Sequence, residues 1–333
     1  MNRTQQVLVG ALIAQVVLAV ALFWWPRSAP AGAAGAPLLG VKAEEITSLA
    51  VRDSQGNSVK LARSGAQWVM PDAGDYPADV TKIQPLLANL VEMKASRLVA
   101  QTPAAHRRLQ VADDTFSRRI DVETPAGTKT VFMGTSGGAG SSHVRLDGQD
   151  QVYLVSGLAD SGLGADAASW TNPAYFVVPQ EDVVALTLSN ANGQWSFAKG
   201  ADGKWALQGL APGETLNPQS VEDLLNAASY VRLARPLGKT EDPAYGLAQP
   251  TAAVTLVAKA EGGEKTYTLA IGAQDPTDKT YVVKSSESPY FVRVAEFGLK
   301  DLVEKTRSGF LTLPPTATPG APPVTLTPTP SLQ

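Results

Sequence analysis

The sequence contains no cysteine. That excludes disulfides, thiolate zinc sites, iron–sulfur clusters and lipidation on Cys. It has only two histidines, His106 and His143, which leaves little material for metal ligation or general-base chemistry. Charge of one sign is missing as well: 28 Lys+Arg stand against 31 Asp+Glu, a net of −3. No basic excess invites nucleic acid and no acidic run suggests a counterion store. With 44% hydrophobic and 18% charged residues, the 333-residue chain is that of a folded protein of about two domains. The sequence points to a location and an architecture and names no reaction.

Long hydrophobic runs are absent except for one. Val7 to Trp25, VLVGALIAQVVLAVALFWW, is uninterrupted by charge. As a helix it would reach roughly 28 Å, close to the ~30 Å of a bilayer's hydrocarbon core. Arg3 and the α-amino group precede it, Trp24 and Trp25 close it at interfacial positions, and Pro26 stops it. The expectation is a single-pass signal anchor, N-terminus cytoplasmic and the bulk of the chain extracytoplasmic at a cell membrane. The alternative is a cleaved signal peptide cut near Ala29-Pro30-Ala31 or Ala31-Gly32-Ala33, but the apolar run exceeds the usual ~7–15 residues. Gln15 is the one strongly polar side chain inside it, read as a tolerated amide, with a helix–helix contact as the functional reading.

Residues 26–43 are a linker rich in Pro, Gly and Ala, and residues 314–333, with seven Pro, five Thr and no charge, read as an extended tail. Between them runs an internal repeat. Leu49/Leu186, Gly56/Gly193 and Trp68/Trp205 share an offset of 137. Leu86/Leu224, Leu87/Leu225, Arg97/Arg235, Leu109/Leu247, Thr128/Thr266, Thr130/Thr268, Gly134/Gly272 and Val144/Val282 share 138. Two homologous units are expected, 44–172 and 181–313.

Each unit opens on alternating strand patterns with Gly turns, the first marked by Ile46, Leu49, Val51, Val59, Leu61, Trp68 and Met70. A helix follows, with Ile83, Leu86, Leu87, Leu90 and Val91 on one face; Thr81 and Gln84 suit a capping box, which would put Pro85 at the fourth helical position. The second copy begins at Asn217-Pro218, with Val221, Leu224, Leu225 and Ala228 as its face. Four strands then close each unit: 120–123, 128–133, 144–146 and 152–155, and in the second 253–258, 266–271, 281–284 and 290–294. Asp147-Gly148 reads as a hairpin turn, and 297–303 as a closing helix. The predicted class is α+β: two units, each a mainly antiparallel sheet packed with a helix, behind a transmembrane helix.

At Tyr245-Gly246-Leu247, with Pro250 and the strand 253–256, the sequence resembles the Y-G-L-x-x-P-x-x-x-V-x-L signature of the domain-of-unknown-function 4340 family. Leu269-Ala270-Ile271-Gly272, a polar loop and Thr280-Tyr281-Val282 resemble the strand–Gly–loop–strand that follows there. The first copy keeps Leu109 but has His106-Arg107-Arg108 where Pro-Ala-Tyr-Gly is expected. The resemblance implies a membrane-anchored, exported bacterial protein, of a kind found beside ABC-transporter subunits linked to gliding motility. It carries no catalytic residues.

Chemistry-bearing patterns are few. Gly134-Thr135-Ser136-Gly137-Gly138 matches G-x-S-x-G, but Gly-rich residues and a strand follow it instead of a helix, so it reads as a hairpin loop. It also lacks the Lys-Ser/Thr ending of a phosphate loop. Glu44-Glu45, Asp113-Asp114, Glu181-Asp182 and Glu241-Asp242 read as solvated edges, without calcium-loop spacing. The basic clusters His106-Arg107-Arg108 and Arg118-Arg119 read as solvated faces. Trp68 and Trp205 read as core, Trp170 and Trp195 as candidates for exposure. No catalytic, cofactor or metal residues are assigned. The expected function is that of a non-enzymatic accessory or scaffold protein of an ABC-type transport system, binding no nucleic acid. The alternative is an exported binding protein for a wall polymer or peptide, using the cleft between repeats.

Overall fold

The computed structural model describes residues 35–312. The apolar run Val7–Trp25, Gln15 and the tail 314–333 lie outside the described residues. Among the described residues no helix is long and apolar enough to cross a membrane. The described residues divide into two units, one running up to Trp68 and again over Asp79–Ser169, the other over Val69–Ala78 and from Trp170 onward.

The first described residues already pack on the first unit. Leu38 N–H donates to the Met93 carbonyl (2.7 Å), and Leu39 is buried. Strands β1 (Ser48–Asp53), β2 (Ser58–Ser64), β3 (Gln67–Met70) and β4 (Tyr76–Pro77) follow. In β1, Leu49 and Val51 are fully buried, as period-two alternation requires.

Helix α1 (Val80–Glu92) buries Ile83, Leu86, Leu87 and Leu90 of the expected face and leaves its fifth member, Val91, half-buried. Its start differs from the expectation. Asp79 is the N-cap and accepts from Thr81 N–H (3.0 Å) and from the Thr81 hydroxyl (2.7 Å), so Thr81 is the second helical residue. The shorter side chain of Asp, with two acceptors, takes the cap, and Pro85 falls at the sixth position, inside the helix.

Next come β5 (Leu98–Ala100), α2 (Pro103–Arg108), and the two-stranded ribbon of β6 (Val111–Ala112) and β7 (Thr115–Phe116). A meander of β8 (Arg118–Thr124), β9 (Gly127–Gly138), β10 (Ser141–Leu146) and β11 (Val152–Ser156) completes the unit. Asp147-Gly148 is a turn, closed by Gln149 N–H on the Leu146 carbonyl. The sheet of the first unit runs β3-β2-β1-β8-β9-β10-β11-β5, with antiparallel ladders from β2 through to β5.

In the second unit, β12 (Ala174–Val177) pairs with β16 (Tyr230–Arg232) as a ribbon. The main sheet comprises β13 (Val183–Asn190), β14 (Gly193–Lys199), β15 (Trp205–Leu207), β17 (Arg235–Gly238), β18 (Ala252–Ala260), β19 (Gly263–Gln274), β20 (Thr280–Ser285) and β21 (Phe291–Ala295). Its order is β15-β14-β13-β18-β19-β20-β21-β17, antiparallel throughout.

Helix α3 (Pro218–Ser229) starts at the Asn217 cap with Pro218 first, and buries Val221, Leu224, Leu225 and Ala228 toward β18. The expected closing helix is split: a 3-10 turn over Glu296–Gly298, then α4 (Lys300–Val303). Leu299 and Leu302 are buried while Phe297 is 87% exposed. The architecture is mixed α and β, with antiparallel sheets.

Candidate functional site

A polar cleft lies within the first unit, where α2, the β6–β7 ribbon and the end of β10 meet. It encloses about 650 Å³. Thr102 caps α2, with Pro103 in the first position and His106, Arg107 and Arg108 in the last turn, where a helix's negative end favours cations. Gln110 then adopts a left-handed φ of 56°, which turns the chain back into β6.

Arg145 is the organising residue. It sits on β10 with 5% exposure. Its Nε donates to the Val111 carbonyl (2.6 Å), Nη1 to the Gln149 carbonyl (3.1 Å), and Nη2 to Asp113. The guanidinium also lies 4.6 Å from the Phe132 ring centre. His106 is buried and its Nε2 donates to the Asp150 carbonyl (2.7 Å). Arg107 pairs with Asp114 at 2.6 Å, both well exposed, so that pair contributes little.

Four aspartates (113, 114, 147 and 150) line the cleft against two arginines. The surplus of carboxylates favours a cationic or hydrogen-donating group. Among the described residues no group of three or more His, Asp or Glu is placed to hold a metal ion.

The structure corrects several expectations from sequence. Residues 134–138 belong to β9; only Ala139 and Gly140 form the turn. Ser136 sits on the exposed strand end. Its hydroxyl accepts from Gly138 N–H (3.1 Å) and donates to the Ser141 carbonyl (3.4 Å). His143 Nδ1 instead donates to the Thr135 carbonyl (2.8 Å), with the Thr135 hydroxyl at 3.0 Å.

His106-Arg107-Arg108 is not a wholly solvated face, because His106 is inside. Arg118 is part-buried, bonded to the Leu163 carbonyl (2.6 Å) and paired with Asp160 (3.2 Å); Arg119 bonds Asp121 (3.0 Å). Asp113-Asp114 carries the two ion pairs of the cleft. Glu45 receives Lys42 N–H (2.9 Å), Asp242 receives Ala244 N–H (2.8 Å), and Glu181 is exposed.

Trp68 is buried as expected, but Trp205 is half-exposed at the edge strand β15, with Lys199 Nζ 5.8 Å from its ring. Trp170 and Trp195, either of which was a candidate for exposure, are both buried; Trp195 packs on Phe310 at 5.3 Å between ring centres.

Arg145 was missed from sequence. Its signal was a lone charge between Val144 and Leu146 on an inward-alternating strand, which reads as a solvent-facing residue unless the ribbon covering that face is known.

The Tyr-Gly-Leu segment has a physical reading. Asp242 caps a 3-10 turn over Pro243–Tyr245, and Gly246 ends it at φ 68°. The Tyr245 carbonyl then lies against Gly272 of β19, where any Cβ would collide with it. In the first unit the Leu109 carbonyl lies in the same way against Gly134 of β9, and Thr135 N–H donates to it (2.9 Å).

A family model described as Domain of unknown function (DUF4340) matches residues 68–250. The match begins at Trp68, takes in α1, the cleft and Tyr245-Gly246-Leu247, and ends at Pro250, ahead of β18. No curated protein and no solved structure matches the chain. More than half of the sequence lies within the family match, and the chain belongs to the DUF4340 family.

Proposed function

We propose that the chain is a non-enzymatic, membrane-anchored extracytoplasmic accessory or scaffold protein of an ABC-type transport system of the gliding-motility type. In this reading Val7–Trp25 holds it in the membrane as a single-pass anchor, N-terminus inside, and two tandem copies of one module present sheet edges and loops outside.

The tandem reading is supported by strand order. Counting the main-sheet strands of each unit in chain order, and leaving out the two-residue β4, both sheets run 3-2-1-5-6-7-8-4. The central ladders agree as well. Leu49 faces Leu61 and Val122; Leu186 faces Phe197 and Leu256.

The observation that carries the non-enzymatic part is the bonding of the reactive groups. Ser136, His106 and Arg145 are each held by backbone carbonyls or amides, and His143 Nδ1, with the Thr135 hydroxyl beside it, gives its proton to the Thr135 carbonyl, an arrangement that builds structure. The test is a crosslinked pull-down of the full-length protein from its native membrane, with a Val7–Trp25 anchor swap as control. Transporter subunits recovered only with the native anchor are the expected result. Their absence with both anchors would overturn it.

A second reading, an exported binding protein for a peptide or wall polymer, is favoured by the acidic cleft around Arg145. It predicts that an amine-bearing peptide raises the melting temperature of the full chain, and that Asp147→Asn with Asp150→Asn removes the rise.

A further inference from the structure

The second unit carries an aromatic notch whose walls are open. Tyr230, Arg232, Val294, Ala295, Phe297 and Gly298 enclose about 90 Å³, room for one side chain of proline size. Phe297 is 87% exposed and Tyr230 44%. Val177, 55% exposed, stands directly across the ribbon from Tyr230, so the two side chains share one face. Arg232 Nη1 donates to the Tyr230 hydroxyl (3.3 Å) and lends the notch a cation. Single exposed apolar residues are ordinary, but two at a small cavity with a third beside one of them form a surface suited to a partner.

The chain's own C-terminal sequence has the matching chemistry. Beyond the described residues, Pro319-Gly320-Ala321-Pro322 is a P-x-x-P segment in a stretch free of charge. Such segments are ligands for aromatic grooves, because each prolyl ring fits between aromatic faces and the preformed backbone loses little entropy.

The path is long enough. The described chain leaves at Thr312, whose N–H donates to the Thr215 carbonyl (2.8 Å), and Asn217 N–H donates to the Phe310 carbonyl (2.8 Å). That places the exit at the start of α3. Tyr230 follows the last residue of this 12-residue helix, so the notch lies about 18 Å away along its axis. Pro319 is the seventh residue past Thr312, a reach of about 22 Å at the polyproline rise. Pro314 and Pro315 are too near the exit to arrive. We infer that this notch is the docking site of the chain's own Pro319–Pro322 segment.

The absence of native cysteine makes the test clean. In the full-length protein in detergent, Lys300→Cys, an exposed site close to Phe297, is combined with Ala321→Cys, and a short dithiol-reactive crosslinker is added. The comparison pair is Lys300→Cys with Ser331→Cys. Docking predicts an intramolecular product about tenfold faster for position 321 than for 331, since only the docked residue is held at high effective concentration. Adding Phe297→Ala, which alters no buried contact, or Pro322→Ala should slow it about fivefold. Equal rates at 321 and 331, or rates indifferent to Phe297→Ala, would overturn the inference. A product of dimer mass would overturn it too, because the notch would then hold another copy's tail.

Discussion

Gly272 and Gly134 show how a single residue type can be dictated by a neighbour's carbonyl. Each strand passes so close to a backbone oxygen that even a methyl group has no room. Gly272→Ala is expected to destabilise by about 1–3 kcal/mol through overpacking against rigid backbone, read as a lower denaturant midpoint at unchanged slope. Arg145 makes the opposite case, a large side chain fixed by what it satisfies. Arg145→Met strips the Val111 and Gln149 carbonyls of their donor, and about 2–3 kcal/mol should be lost in the same assay. An equal stability for Arg145→Met and the native chain would mean the cleft re-solvates freely. The sequence displayed both positions but not their reasons: a glycine's necessity lies in a segment about 25 residues away, and an arginine's burial in the ribbon that covers it.

At the scale of elements, helical periodicity was the most legible signal. The faces of α1 and α3 fell where spacing placed them, because an apolar stripe has few ways to be buried. Helix starts were less legible where two caps competed. Asp79 took the role that Thr81 and Gln84 suggested, and so moved Pro85 into the helix interior. Asp79→Ala should cost about 1 kcal/mol. Pro85→Ala should stabilise by about 1–2 kcal/mol, since a restored amide outweighs the freer unfolded chain. A fall in melting temperature for Pro85→Ala would show that the ring's packing matters more than the missing bond. The polar strand end at Ser136 was unreadable for a related reason: a Gly-rich sequence describes a loop by composition, while the pairing of Ser136 with Ser142 holds it in the sheet.

For the whole molecule, pH reports on groups whose ionisation the fold has shifted. The Asp278 carboxylate is held below its usual range by hydrogen bonds from Thr280, then by the Arg235 and Arg293 charges. Glu214 is held down by Arg307 and by the Ala211 amide, and Asp53 by Asn57. Depressed carboxylates contribute stability that is present above their unfolded values and lost as pH falls through the folded ones. Stability should therefore fall below about pH 4, and Asp278→Asn should flatten that fall.

At the alkaline end Tyr76, in the second unit, is pushed up to about 12 by burial first and then by Tyr175 and Tyr290; its ring lies 4.7 Å from that of Tyr290. A raised value gives stability that is full below pH 10 and lost as pH rises toward 12. Burial raises Tyr175 and Tyr281 as well, so tyrosinate absorbance in the native chain should show a late-titrating fraction, which Tyr76→Phe reduces.

The central ladders carry a consequence for how the chain must be made. Ser48 pairs with Glu123 and Val183 with Ala258, 75 positions apart in each unit. On the far side of these ladders, β8 to β11 and β18 to β21 are meanders of neighbours, which can form as soon as they are synthesised. The ladder itself closes a loop whose entropy exceeds that of a ten-residue hairpin by about 2 kcal/mol. So β1 waits, one edge unpaired and its Leu49 and Val51 uncovered, until β8 arrives. During that interval the nascent chain offers an open sheet edge to any other strand it meets, and its safety rests on how quickly β8 to β11 assemble and bring the missing edge home.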